Sequence, residues 1–175
     1  MKVLILLLFV GVVAFGCNYE EPSLRGSENT LIDEPKPNEP CLYYDFDQVT
    51  YYHFNLSKSE SEMLYNFKTL EDSILKTIII DNNPKNLDDS SFFYHLDLVA
   101  HEIVEVDTSS FKELRSLFSN EGHVESVYES CIAYWRDILV FRKGGVIVGV
   151  AKFTFGCSRN FFLGANCNTV EFGYG

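Results

Sequence analysis

The residues of this sequence best suited to covalent or metal chemistry are its five cysteines: Cys17, Cys41, Cys131, Cys157 and Cys167. Structural zinc takes four nitrogen or sulfur ligands, usually from closely spaced cysteine pairs. The nearest pair here is Cys157 and Cys167, and no Cys-x-x-Cys occurs, so disulfides are expected rather than a metal or dithiol redox centre. Two histidines one helical turn apart around a glutamate hold catalytic zinc. His101-Glu102 begins that spacing, but Glu105 stands where the second histidine is needed, so no metal site is expected. Gly156-Cys157-Ser158 does not make a nucleophile elbow, and no cofactor is expected. Arg136 and Asp137 form the remaining candidate pair. Arginine reads carboxylate or phosphate in a bidentate manner, so the two could bind a ligand; the alternative is an ion pair with each other.

Position explains the odd cysteine. Lys2 precedes an apolar run from Val3 to Phe15. Thirteen helical residues cover roughly 20 Å, short of the roughly 30 Å of a bilayer core, and suit a signal-peptide core. Ala14-Phe15-Gly16-Cys17 closes the run and resembles the lipobox of bacterial lipoproteins. The resemblance implies a signal peptide over residues 1–16 and lipidation of Cys17. Two or more acyl chains at ~0.8 kcal/mol per buried methylene would hold the chain on a membrane. Glu20 and Glu21 resemble the acidic surface-export signal of one Gram-negative phylum, yet also suit the start of a solvated tether. Periplasmic face and cell surface of the outer membrane both remain open.

Residues 17–40 read as a lipidated cysteine followed by a flexible tether, acidic and with four prolines, Pro22, Pro35, Pro37 and Pro40. A chain of that length spans roughly 25 Å. Residues 41–175 then form one domain. With 46% hydrophobic and 15% aromatic residues, the chain can bury a core. Loss of Lys2 with the signal takes the net charge from −11 to −12. Such acidity excludes binding to nucleic-acid backbones, which needs clustered Lys and Arg.

Val49 to Asn55 is rich in strand formers. Ser57 and Glu60 make a capping box, predicting a helix with Met63, Leu64 and Phe67 on one face. Thr69 and Asp72 cap a second helix through Ile74, Leu75 and Ile78, ended by Asn82-Asn83-Pro84. Phe92, Phe93, Leu96, Val99 and Ala100 fit helical spacing, and Ile103 to Val106 reads as a short strand. Ser109 or Ser110 caps a helix carrying Phe111, Leu114, Leu117 and Phe118. Strands over 137–143 and 146–155 flank Gly144-Gly145, a two-residue hairpin turn, and 160–165 adds a third. The expected fold is α+β, an antiparallel sheet with about three helices packed on one face.

A Gly-Gly hairpin pairs residues whose numbers sum to 289. Cys131 and Cys157 sum to 288, so a single bulge would bring them opposite each other. A Cys131–Cys157 disulfide is therefore expected, worth roughly 3–4 kcal/mol in the chain-entropy account. Cys41 and Cys167 pair by elimination.

Cys131-x4-Arg136-Asp137-Ile138, Phe141, Gly149-Val150-Ala151-Lys152, Phe155-Gly156-Cys157 and Asn168-Thr169 resemble a pattern in small exported lipoproteins of Gram-negative bacteria. The resemblance covers roughly residues 131–173. That pattern often has Cys-Phe-x-Cys; here Thr154 replaces the first cysteine, which removes a shared two-cysteine role. Asp72-Ser73-Ile74 resembles a short O-glycosylation motif of the same organisms. The expected function is a non-enzymatic envelope lipoprotein that binds another protein or an envelope component, an immunity or inhibitor protein being one version. The alternative is an envelope hydrolase with a dispersed active site.

Overall fold

The computed structural model describes residues 40–66, 68–120, 131–157, 159–169 and 172. The expected signal peptide, Cys17 and the expected tether up to residue 39 lie outside the described residues.

Local sequence rules account for most of the elements. Strand β1 is Gln48–His53. Helix α1, Lys58–Met63, starts at Ser57 with both halves of the capping box formed with Glu60. A 3-10 turn, Leu64–Asn66, follows. Helix α2, Leu70–Ile79, has a second reciprocal box between Thr69 and Asp72. Helix α3, Ser90–Val99, is capped by the Asp89 side chain on Phe92 N. Strand β2 is Glu102–Glu105. Helix α4, Phe111–Leu117, differs from expectation at its start: neither Ser109 nor Ser110 caps it through a side chain. Asp107 instead accepts from Ser109 N and starts a 3-10 turn that runs into the helix. Strands β3 (Asp137–Lys143), β4 (Val146–Thr154) and β5 (Arg159–Leu163) complete the set.

The five strands form one antiparallel sheet in the order β2-β1-β3-β4-β5. Alternation along the strands gives the sheet two apolar faces. One face, with Tyr52, Ile138, Val140 and Val150, packs on Leu64 and on Leu75, Ile78, Phe92, Phe93 and Leu96 of α2 and α3. The other, with Val49, Phe141, Ala151 and Phe153, is covered by Phe111 of α4, by Phe118 and by the irregular segment Tyr43, Tyr44 and Phe46. Helices α2 and α3, with the 3-10 turn after α1, thus cover one face, and α4 covers the opposite one. Met63 does not join the first core; it is exposed while Leu64 is buried. Phe67 lies outside the described residues. Among the described residues no helix is long and apolar enough to cross a membrane.

The hairpin turn places Gly144 and Gly145 at φ of 55° and 80°, both in the left-handed region that a type I′ turn requires. Its register matches the expected sum for Lys143↔Val146 and Arg142↔Ile147, then shifts so that Phe141 pairs Gly149. Val148 is the extra residue of this bulge. The shift raises the sum to 290, away from the cysteines' 288. The structure nevertheless bonds Cys131 to Cys157, with Cα atoms 6.0 Å apart. The β3–β4 ladder stops at Asp137↔Phe153, so its register does not reach the cysteines. Residues 131–136 and the 3-10 turn Phe155–Cys157 approach each other outside the sheet. Cys41 is bonded to Cys167.

Gly149 is required by packing. The Tyr44 ring lies on it, and a Cβ there would overlap that ring. The same tyrosine donates to Val150 O at 3.0 Å and stacks on Phe141 with centroids 4.3 Å apart. Gly149→Ala must displace the ring and its hydrogen bond together. It is expected to destabilise the protein by ~2–3 kcal/mol, read as a lower denaturant midpoint with unchanged slope.

Candidate functional site

The ends of β1 and β3 bring three polar side chains together on the sheet face away from α2 and α3. Tyr51 and His53 are two apart on β1, so both point to that face, and His53 pairs with Asp137, the first residue of β3. Asp137 Oδ1 accepts from the Tyr51 hydroxyl at 2.6 Å and stands 2.9 Å from His53 Nδ1. The shared carboxylate oxygen places the imidazole proton on Nδ1 and fixes the ring. Burial pushes the Tyr51 phenol upward, and the acceptor Asp137 and the charge of Glu102 push it further.

A carboxylate-oriented imidazole is the start of a general-base arrangement. What such chemistry needs next is a nucleophile. Among the described residues, no hydroxyl or thiol is hydrogen-bonded to the other ring nitrogen of His53, and no three His, Cys, Asp or Glu residues are grouped to hold a metal.

Arg136 does not join this cluster. Its Nη1 donates to Leu56 O at 2.8 Å, and its own carbonyl accepts from Phe54 N. Arg136 and Asp137 are consecutive and diverge to different partners. The Arg136 guanidinium goes to the chain leaving β1 and the Asp137 carboxylate to Tyr51 and His53, where an ion pair between the two was the alternative expectation. Arg136 locks the chain leaving β1, and Asp137 holds His53.

A strongly perturbed titratable group is Lys152 on β4, which is 0% exposed. Burial drives its ammonium well below the usual lysine range, with Asp81 acting in the opposite direction. A lysine so displaced is normally a candidate for amine chemistry. Here its three protons are matched by three carbonyls: Ile78 O at 2.6 Å, Asn83 O at 2.8 Å and Asp81 O at 3.2 Å. The rings of Phe92, Trp135 and Phe161 lie 5.6–5.8 Å from the nitrogen. It is sealed from any substrate and closes the end of α2.

A groove of about 420 Å³ runs between α1 and α2, lined by Leu56, Met63, Leu64, Asn66, Lys68 and Leu75, with Glu60 and Asp72 at its margin. Both acids are already committed to the capping boxes. Ser73 of the Asp72-Ser73-Ile74 motif lies within α2. His101 and Glu102 fall at the start of a strand, so the helical spacing that zinc would need is absent. Sequence reading missed His53 as a site residue. The visible signal was Tyr51-x-His53 within a strand; its partner Asp137 is 84 residues away.

No protein-family model, no curated protein and no solved structure matches the chain. Function therefore has to be argued from the molecule's own chemistry.

The buried phenols give a titration test. Burial raises Tyr44, Tyr51, Tyr52 and Tyr134, Tyr52 to about 12 with Asp97 accepting its proton. A raised folded pKa gives stability that is full below the unfolded value of ~10 and is lost as pH climbs towards the folded value. Lys152, depressed on folding, acts the other way and adds stability as pH rises to ~10.4. With four phenols acting against one amine, net stability should already be falling as pH rises through about 10. In a phenolate absorbance titration these four tyrosines should ionise together with unfolding, after the exposed ones.

Proposed function

We propose that the protein is a membrane-tethered binding module of the bacterial cell envelope, held at the outer membrane through lipid on Cys17. Its partner is another protein or an envelope component. The observation that carries the reading is how the polar groups are used. Lys152 is closed around helix α2, Arg136 around the β1 exit, and Glu60 and Asp72 around helix starts. Meanwhile Leu70, Met63, Tyr94, Leu98, Ile103 and Val104 are left facing solvent. Apolar side chains on open surfaces, beside chemistry enclosed within the fold, favour recognition over turnover.

Several sequence features support the address. The apolar run Val3 to Phe15 ends at Gly16-Cys17, and an acidic, proline-containing tether precedes the domain. Lipidation also removes the odd cysteine and leaves four, which the structure joins as two disulfides. Such bridges persist in oxidising, exported settings. The C-terminal pattern from Cys131 to Asn168-Thr169 resembles that of small exported lipoproteins. The His53–Asp137 pair favours the rival, a hydrolase with a dispersed site. His53→Ala should leave partner binding intact on the binding reading.

Labelled palmitate supplied to expressing cells should enter the protein and be lost in Cys17→Ser. Label that survives the substitution overturns the anchor. Co-purification in mild detergent should return a stoichiometric partner; repeated recovery of the chain alone counts against a binding role.

A further inference from the structure

We propose that the free edge of β2 takes up an extended segment of a partner protein as a sixth strand, and that this segment carries a basic–apolar–apolar–basic run. The proposal rests on the binding-module reading above and names the partner's chemistry.

Among the described residues β2 is the outermost strand and pairs only with β1. An edge strand presents a row of backbone N–H and C=O groups ready to pair with another chain. All four residues of β2 are exposed, Ile103 at 46% and Val104 at 40%. Two adjacent apolar side chains on an open edge are what soluble domains otherwise avoid.

Register sorts the four side chains. Glu102 lies opposite His53 and Val104 opposite Tyr51, on the face with Asp137. Ile103 lies opposite Tyr52 and Glu105 opposite Thr50, on the other face. The Glu105 carboxylate accepts from Thr50 Oγ1 at 3.2 Å, and Arg142 donates to that same hydroxyl oxygen at 2.7 Å. Glu105 is thus steadied from one side and open on the other.

Charge selects the occupant. A second copy paired antiparallel about the middle of β2 would set Glu102 opposite Glu105 twice. Like charges directly opposite across strands repel. A basic residue opposite each glutamate is attracted instead, and a net charge of −11 draws basic partners in. The glutamates are three apart in sequence, so the two basic residues flank two others, which meet Ile103 and Val104. On the Glu102 side the incoming cation also lies in the field of Asp137, two strands in.

The probe is a capped synthetic peptide, Thr-Lys-Val-Val-Lys-Thr, with a control in which glutamate replaces both lysines. Amide hydrogen exchange is followed in the full-length protein in detergent micelles. The lysine peptide should slow exchange over residues 102–105 and leave β3 and β4 unchanged. The glutamate peptide should need a concentration higher by on the order of tenfold or more. Glu102→Lys/Glu105→Lys should reverse the preference, and Glu102→Gln/Glu105→Gln should abolish it. Unchanged exchange at β1 and β3 in each variant certifies the fold. No protection at 102–105, or equal protection by both peptides, overturns the proposal. A co-purified partner whose capture ignores both double variants also overturns it, while leaving the binding module intact.

Discussion

The buried Lys152 amine ties the sheet to the end of helix α2 through three carbonyls. It rises from the middle of β4 into the layer between sheet and helices, where an uncompensated charge costs several kcal/mol. Three carbonyls from the end of α2 and the turn after it answer the charge. Ile78 O lies in the last turn of α2, where acceptors lack intrahelical partners, and Asp81 O and Asn83 O lie in the turn beyond it. One side chain therefore gives the helix end and the following turn a donor to each of three carbonyls, and the amine gains acceptors near the negative end of the helix dipole. Trp135 adds to the same clamp. Its backbone N–H donates to Ile79 O at 2.7 Å, its ring nitrogen to Asn82 Oδ1 at 3.2 Å, and its ring flanks the ammonium. The strand, the helix and the approach to β3 are locked at one point.

That clamp also explains which parts of the fold were legible. Capping boxes at Ser57 and Thr69 and the turn at Gly144-Gly145 act within a few residues, and the elements they specify are present. Lys152 reads, within Val-Ala-Lys-Phe-Thr, as a strand residue facing water; its acceptors are 69 to 74 residues away. The same distance in sequence hid the Tyr51–His53–Asp137 cluster, because the alignment of β1 with β3 is not written in either strand. Tyr43, Tyr44 and Phe46 fill the second face from a segment with no periodicity to betray it. The Cys131–Cys157 bond shows a correct expectation reached by a wrong route: the bulge at Val148 moves the register away from the cysteines, and the turn beyond β4 brings them together.

The arrangement divides the molecule into a closed part and an open part. Around Lys152 and the aromatic layer of Phe118, Phe141, Phe153 and Phe172, polar and apolar groups are mutually satisfied. At β2, side chains of both kinds face solvent.

The central claim is that Lys152 is a sealed structural group that ties β4 to the end of α2, and not a reactive amine. The direct measurement is equilibrium denaturant unfolding of Lys152→Met, which keeps the apolar stem and removes the three donors. Methionine regains the desolvation cost of the charge but leaves three buried carbonyls unanswered, so a net loss of ~2–4 kcal/mol is predicted. A variant as stable as the parent, or more so, would contradict the account.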